Sequence, residues 1–164
     1  MRIVTILLLS VSFLSVTARA EGPVGAVGYA NLSDDDVSLG AITGSLGYRF
    51  DTTYQGFSVT PEVRIGLGIN DDTYAGVDVE LDSLYGFNVR AEWDLGQTYI
   101  FVAPSYTNVE VEASFGGITV SDDEWEFGGG LGFGYRLEQT IGLEVSYEVF
   151  DDVDVFSAGV RLDF

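Results

Sequence analysis

Strict alternation of apolar and polar residues constrains this chain more than any other feature. In the clearest run, residues 57–69, every odd-numbered position is Phe, Val, Pro, Ile or Leu, and every even-numbered position is Ser, Thr, Glu, Arg or Gly. A period of two residues predicts a β-strand whose two faces meet different surroundings. Eight such runs follow one another along the chain. The sequence therefore predicts an all-β fold of eight antiparallel strands in up-and-down order.

The seven other runs vary in clarity. They are residues 24–32, 42–50, 83–93, 99–113, 125–137, 141–150 and 156–164. The first has no clear polarity, so its register is left open. In the run 99–113, Glu110 and Glu112 are expected on the polar, inward face. Strict alternation then places the apolar residues of the first half of this run on the same face, unless Pro104 marks a change of face. Pro61 and Pro104 lack the N–H that a central strand donates, so we expect bulges or strand ends there.

Charge on the polar faces decides between a soluble sheet and a membrane barrel. All five arginines after residue 20 lie within strands. An eight-stranded barrel has an interior only wide enough for side chains, so polar groups inside it must pair with one another. We therefore predict that the apolar faces meet lipid and that inward glycines leave room for long Arg and Glu side chains. The glycines are Gly66, Gly68, Gly128, Gly130, Gly132 and Gly134. The predicted lumen network is Arg49, Glu62, Arg64, Arg90, Glu92, Glu126, Arg136, Glu144, Glu148, Arg161 and Asp163.

The N-terminus has the pattern of an export signal. Arg2 precedes an apolar run over residues 3–16, and Ala18 and Ala20 place small residues where signal peptidase requires them. The apolar run is shorter than the roughly 20 residues that a membrane-spanning helix needs. We predict a signal peptide over residues 1–20, cleaved after Ala20, and one barrel domain over residues 21–164.

Composition excludes several functions. The chain has 26 acidic and 7 basic residues and a formal charge of −19, so nucleic acid is not an expected partner. It has no histidine and no cysteine, which removes the usual general base, the thiolate nucleophile and the common transition-metal ligands. Glu144 and Glu148 are better explained as lumen residues than as an acid and base pair. We predict no enzyme activity and no cofactor.

Acidic residues concentrate in alternate breaks between the strands. The odd-numbered connections are acidic, whereas the even-numbered ones, near residues 51–55, 94–98 and 138–140, are short. This alternation predicts long extracellular loops, short periplasmic turns and both termini in the periplasm. Clustered carboxylates also suit Ca²⁺ or Mg²⁺, although a solvated, repulsive surface is the simpler interpretation and no metal site is assigned. The candidate cation ligands are Asp34, Asp35, Asp36, Asp71, Asp72, Asp122, Asp123, Asp151 and Asp152.

Aromatic residues lie near the predicted strand ends, where the two interfaces of a membrane would fall. Such positions are typical of aromatic girdles. The expected periplasmic girdle is Phe50, Phe57, Trp93, Tyr99, Tyr135 and Phe164, and Trp125 and Phe156 are expected toward the outside.

The C-terminal stretch FGGGLGFGYRLEQTIGLEVSYEVFDDVDVFSAGVRLDF carries a family likeness. A glycine-rich strand ending in Tyr-Arg-Leu, a short turn, a Leu-x-x-x-Tyr strand, an acidic loop and a final strand ending on Phe164 resemble the OmpA-like, opacity-type (porin-family) eight-stranded outer-membrane barrels. The resemblance implies an outer-membrane barrel of a Gram-negative cell, surrounded by lipid and lipopolysaccharide. We expect a monomer, although the sequence leaves the oligomeric state open. It also implies that the barrel-assembly machinery recognises the last strand through Phe164.

Three functions are consistent with this sequence. The leading hypothesis is a structural or surface-interaction barrel that displays acidic loops. The second is a narrow pore for small solutes or ions, which a lumen filled by its own side chains disfavours. The third is a soluble periplasmic barrel for a small apolar ligand, which requires the aromatic faces to point inward.

Overall fold

The computed structural model describes residues 19–34, 37–74, 77–115, 118–151 and 153–164, and its regular elements are all β-strands. No helix in these segments is long and apolar enough to cross a membrane. Most of the predicted signal peptide lies outside the described residues. The strands are β1 (Arg19–Asp34), β2 (Val37–Asp51), β3 (Phe57–Gly68), β4 (Asp71–Tyr74), β5 (Val77–Asp94), β6 (Thr98–Phe115), β7 (Ile118–Glu138), β8 (Ile141–Val149) and β9 (Asp154–Asp163).

The strands form a closed antiparallel ring. Consecutive strands pair with each other except for β3 and β4, and β9 pairs with β1 to close the ring. Strands β3 and β4 both pair with β5, so together they occupy one position. The order around the ring is therefore β1, β2, β3 with β4, β5, β6, β7, β8 and β9. The predicted eight-stranded antiparallel barrel is confirmed.

The two ends of the barrel differ in how the strands are joined. At the proximal end, which carries the C-terminus, short turns join β2 to β3, β5 to β6 and β7 to β8. Gly56 lies in the turn between β2 and β3, and Gly96 lies in the turn between β5 and β6. Their φ angles of 79° and 94° fall in the region that favours glycine. At the distal end the strands run on as extended hairpins. The expectation of acidic loops was wrong for Asp71, Asp72, Asp122 and Asp123, which lie within strands β4 and β7.

The alternating faces point as the membrane interpretation requires. On β3, Val63 and Leu67 are 61% and 66% exposed on the outside, whereas Glu62 is 8% exposed and faces inward. The undecided register of β1 is now defined, since Val24, Ala30 and Leu32 are buried and Val27 and Tyr29 are exposed. The soluble-barrel hypothesis needed the apolar faces inside, and the structure has the opposite arrangement.

Strand β6 corrects the prediction for Glu110 and Glu112. Its pairing with β7 runs without a register shift along the whole strand, so no change of face occurs at Pro104. Val109 and Val111 therefore line the interior, while Glu110 lies on the outer face, where it accepts a hydrogen bond from Ser83 at 3.2 Å. The acidic pattern misled the assignment because the distal part of the strand has a polar outer face and an apolar inner one.

The prolines do not create the expected bulges or strand ends. On one side of each proline, two residue pairs of the ladder are missing and pairing then resumes in the same register. Around Pro61, Gly47 pairs with Glu62 and the next pair is Phe50 with Val59. The ladder between β5 and β6 has the same two-pair gap at Pro104. Pairing on the other side is continuous. Each proline therefore lacks ladder bonds toward one neighbour only. The register shifts lie elsewhere, including one between Leu81 and Ser83.

Candidate functional site in the barrel interior

Arg90 lies at the centre of the charged side chains in the proximal half of the lumen. It is 3% exposed, its Nη2 lies 2.6 Å from Glu144 Oε1 and 3.0 Å from Glu92 Oε2, and its guanidinium stacks 3.5 Å from the centre of the Phe101 ring. Tyr99 donates a hydrogen bond to Glu144 at 2.9 Å. These contacts supply both opposite charge and an aromatic face to a guanidinium that is out of water.

Two further ion pairs cross the lumen. Arg64 on β3 donates two hydrogen bonds to Glu148 on β8, at 2.7 and 3.1 Å, and these strands are diametrically opposite in the ring. Arg161 on β9 donates to Glu62 on β3 at 2.8 Å, and Asn88 donates to the other oxygen of that carboxylate at 3.1 Å. The pairs therefore tie together strands that share no backbone bonds.

The remaining charged side chains surround the proximal mouth. Arg136 donates to Asp94 at 2.8 Å and to Glu92 at 3.1 Å. Arg49 lies 3.4 Å from Glu92 and 3.8 Å from Asp163. The ion pairs of the lumen include the predicted residues Arg49, Glu62, Arg64, Arg90, Glu92, Arg136, Glu144, Glu148, Arg161 and Asp163. Glu126 lies farther toward the distal end, where it lines an apolar cavity.

The glycines of β7 leave room for rings rather than for long ionised side chains. A Cβ on Gly134 would overlap the Tyr99 ring, one on Gly132 would overlap Phe101, and one on Gly128 would lie 2.5 Å from Phe150. Gly130 alone among the β7 inward glycines faces a carboxylate side chain, that of Glu148. The expectation about Arg and Glu was therefore wrong for most of these positions. Tyr99 is 2% exposed and faces inward, so it also does not belong to the girdle.

The other aromatic residues lie on the outer surface in two groups. Near the proximal end, Phe57 and Trp93 have ring centres 4.8 Å apart. Nearer the distal end, Trp125 stacks on Tyr106 at 4.9 Å and meets Tyr85 edge-on at 5.4 Å. Exposed aliphatic side chains lie between these groups, as on the lipid-facing band of a membrane barrel.

The distal half of the lumen is apolar. Its buried side chains form the main hydrophobic cluster of the described residues and line a cavity of about 310 Å³. The Arg64 and Glu148 pair forms the boundary toward the proximal half. The principal apolar members are Leu32, Leu39, Leu81, Leu84, Phe150 and Val155.

Carboxylates also line this cavity. They are Asp34 on β1 and Asp122, Glu124 and Glu126 on β7. None of the salt bridges between described residues involves Asp34, Asp122 or Glu124. The distal end of the lumen therefore combines a buried apolar wall with the exposed carboxylates of Asp34, Asp122 and Glu124, which none of these salt bridges neutralises.

The candidate cation ligands are dispersed. Asp72 accepts a hydrogen bond from the Ser38 N–H at 3.0 Å, and Asp123 accepts one from Asn108 at 3.3 Å. Asp71 lies in β4, and Asp151 is exposed after β8. Asp35, Asp36 and Asp152 lie outside the described residues. Within the described segments, no three acidic side chains converge as metal ligands would.

Sequence reasoning missed the apolar cavity and the two inward rings. The signal was present, because the alternation continues in phase: Leu39 and Ala41 share parity with Ser45 and Arg49 on β2. An apolar residue on an otherwise polar face suggests that the strand has ended before it. If the alternation is instead continued through these residues, Leu39 and Ala41 point inward and predict an apolar section of the lumen.

A closed ring of eight antiparallel strands, with an apolar outer band, aromatic groups at two levels and ion pairs inside, defines an outer-membrane β-barrel protein. Residues 5–164 match the family model of the outer membrane protein beta-barrel domain, and the chain belongs to that family. No curated protein sequence matches the chain.

Solved structures share the fold at low sequence identity. The N-terminal β-barrel domain of Pseudomonas aeruginosa OprF is 12% identical with a TM-score of 0.65, covering 89% of this chain and 100% of that one. Yersinia pestis Ail, in complex with the heparin analogue sucrose octasulfate, is 16% identical with a TM-score of 0.59, covering 86% and 96%. Pseudomonas aeruginosa OprG is 12% identical with a TM-score of 0.55, covering 91% and 99%.

Proposed function

We propose that this protein is a non-conducting, non-enzymatic barrel that supports the outer membrane and presents acidic hairpins at the cell surface. The observation that carries the proposal is the pairing of Arg64 with Glu148 across the full width of the lumen. Arg90 and Arg161 add two more connections between non-adjacent strands. Such crosslinks fill a lumen that is only wide enough for side chains.

The acidic hairpins favour cationic surface partners. We propose that the distal end faces outward, as long hairpins do in bacterial barrels. Its carboxylates, with a chain charge of −19, attract cations and repel sulfated polyanions. The heparin analogue bound by Ail is therefore an unsuitable partner here. Divalent ions that bridge lipopolysaccharide and positively charged partner surfaces fit the charge.

The C-terminus supports the assembly role inferred from the sequence. Phe164 is 72% exposed at the proximal end, and its N–H donates to the Pro23 carbonyl at 3.1 Å. We propose that this residue is recognised by the barrel-assembly machinery before the ring closes, and that the protein then remains a monomer in the lipid.

A narrow pore is the second candidate, and the distribution of internal space favours it. The distal cavity, a middle cavity of about 120 Å³ and a proximal mouth of about 710 Å³ follow one another along the lumen. Arg64 and Glu148 line both the distal and the middle cavity. Movement of this pair would connect the two spaces.

Planar-bilayer recording separates the two candidates. We expect no discrete conductance steps from the wild type, nor from the double variant Arg64→Ser with Glu148→Ser, because Arg90, Glu144 and Glu92 still fill the proximal half. A pore gated by the Arg64 and Glu148 pair would instead conduct in the double variant. Glu112→Gln, on the outer face of β6, is the control and stays silent. Heat-dependent gel mobility verifies that each variant is folded. Regular wild-type steps with the same ion selectivity in repeated insertions would reject the closed barrel and establish the pore.

A further inference from the structure

The distal cavity has the composition of a binding site rather than of a structural core. We propose that it binds a small cationic amphiphile, a molecule with an apolar body and one amine or quaternary ammonium group. This inference goes beyond the proposed surface role and does not depend on whether the barrel conducts. It follows from the lining of the cavity, its charge and its size.

The apolar lining favours an apolar body. Leu32, Leu39, Leu81 and Leu84 come from three different strands and are each at most 8% exposed, yet they leave open a space of about 310 Å³. Protein interiors are normally packed without voids of this size. The volume lies at the lower end of the range for small-molecule pockets, which are mostly apolar with a few polar groups. A ligand of that size would fill the space that these side chains leave open.

The carboxylates select the sign of the ligand's charge. Asp122, Glu124 and Glu126 lie at alternate positions on β7 and all line the cavity, and Asp34 joins them from β1. Among the described lining residues, Arg64 is the one arginine, and its two bonds to Glu148 neutralise it. None of the salt bridges between described residues involves Asp34, Asp122 or Glu124, so the described lining is negative without any contribution from Glu126. An ammonium group gains from this field, whereas an anion of the same shape is repelled.

The arrangement also limits the shape of the ligand. Asp122 pairs with Val111 and Glu124 with Val109 between β7 and β6, so carboxylates and valines lie at the same depth on adjacent strands. The cation thus lies beside the apolar body. A compact arylalkylamine fits this arrangement better than a long polycation.

The test uses the full protein in nanodiscs of zwitterionic phosphatidylcholine, with methyl-labelled leucine and valine observed by NMR. Three probes share one apolar body: 4-phenylbutylamine, 4-phenylbutanol and 4-phenylbutanoate. We expect the amine to shift the methyl signals of Leu84, Val109 and Val111 saturably, with the alcohol weaker and the anion weakest. Val63 and Leu67 on the outer face report partitioning into lipid.

Paired variants test the charge and the space separately. Glu124→Gln is expected to raise the Kd for the amine about threefold, the size of effect of one partly exposed charge, and to leave the alcohol unchanged. Glu112→Gln removes the same charge from the outer face of the neighbouring strand and is expected to change neither. Ala30→Leu, which adds side-chain volume to the lining, is expected to weaken all three probes. Gel mobility verifies that the variants fold.

Each alternative outcome overturns the proposal. Shifts confined to Val63 and Leu67 mean that the probes enter the lipid only. Equal binding of amine and anion rejects the cationic class, and equal effects of Glu124→Gln and Glu112→Gln reject the lining carboxylates as the cause. Absence of amine binding in a silent, folded barrel would reject this site alone and leave the proposed function standing.

Discussion

The proximal half of the lumen is filled by ion pairs and aromatic rings, whereas the distal half is lined by apolar side chains around an open cavity. In the proximal half, five arginines each meet at least one carboxylate, and most inward glycines of β7 receive aromatic rings; the arginines are Arg49, Arg64, Arg90, Arg136 and Arg161. In the distal half, leucines and valines line an open cavity beside the exposed carboxylates of Asp34, Asp122 and Glu124. The comparison shows that one alternating pattern can encode a crosslinked section and an open one within a single ring of strands.

The energetic consequences differ as well. A buried ion pair is costly to break, because removing one partner leaves an uncompensated charge in a low-dielectric interior, although the intact pair contributes little net stability. An apolar side chain next to an existing cavity has lost part of its packing already. Perturbations of the proximal half should therefore be larger than those of the distal half.

The largest effect is expected for Arg90→Ala. This substitution leaves Glu144 and Glu92 without their nearest cation and removes the stacking on Phe101. We expect a loss of about 3 to 5 kcal/mol in the free energy of unfolding. Urea titration in lipid vesicles, with folded and unfolded fractions resolved by gel mobility without boiling, measures it.

Arg136→Ala is the matched control for Arg90. Arg136 also contacts two carboxylates, but it lies at the proximal mouth and its side chain is 17% exposed. The Asp94 side chain is already 34% exposed to water, and the buried Glu92 keeps Arg90 and Arg49 after the substitution, so we expect about 1 kcal/mol. Equal losses for the two variants would show that the centre of the network is no more buried in solution than its edge.

A smaller effect is expected for Gly134→Ala. The new methyl group would overlap the Tyr99 ring, which also packs against Gly142 and bonds to Glu144. Displacement of the ring should cost about 1 to 3 kcal/mol, the usual range for overpacking. The same urea titration applies.

Gly129→Ala provides the comparison within the same strand. Gly129 belongs to the outer face of β7, and a Cβ there meets no atom within 4 Å. We expect its stability to equal that of the wild type within about 0.5 kcal/mol. A loss as large as that of Gly134→Ala would indicate a backbone requirement for glycine throughout β7 instead of a ring contact.

Much of the fold could be predicted from sequence because its main determinant is local. The period of two in residues 57–69 gives the inward and outward faces of β3 directly, and the closed ring follows from eight such runs with polar inner faces. Proline was misjudged because a strand within a barrel has two neighbours, and Pro61 loses ladder bonds toward only one of them.

The interior was harder to predict, since it depends on contacts between distant strands. The pattern places Arg64 and Glu148 on inward faces, but only the ring order makes them opposite one another. Likewise, the sequence around Gly132 does not show that the Phe101 ring of the neighbouring strand fills the space beside it. The apolar cavity forms because several strands place inward apolar residues at the same height in the barrel. The pattern of a single strand does not show which residues of other strands lie at its height.

The smallest expected effect is in the distal half, where Asp122→Asn should stabilise the barrel. Asp122 lines the cavity with Glu124 and Asp34, and none of the salt bridges between described residues involves these three carboxylates. Removing one charge from a repelling group should raise the free energy of unfolding by about 0.5 kcal/mol at low salt, and the gain should shrink as salt screens the remaining charges. Asp123→Asn changes the chain's charge equally but alters the contact with Asn108 on the outer face, so it should give no such gain. Urea titrations at two ionic strengths measure both variants. A loss of stability in Asp122→Asn at low salt would mean that this carboxylate is held by a cation in the folded barrel, and the distal half would then resemble the proximal one.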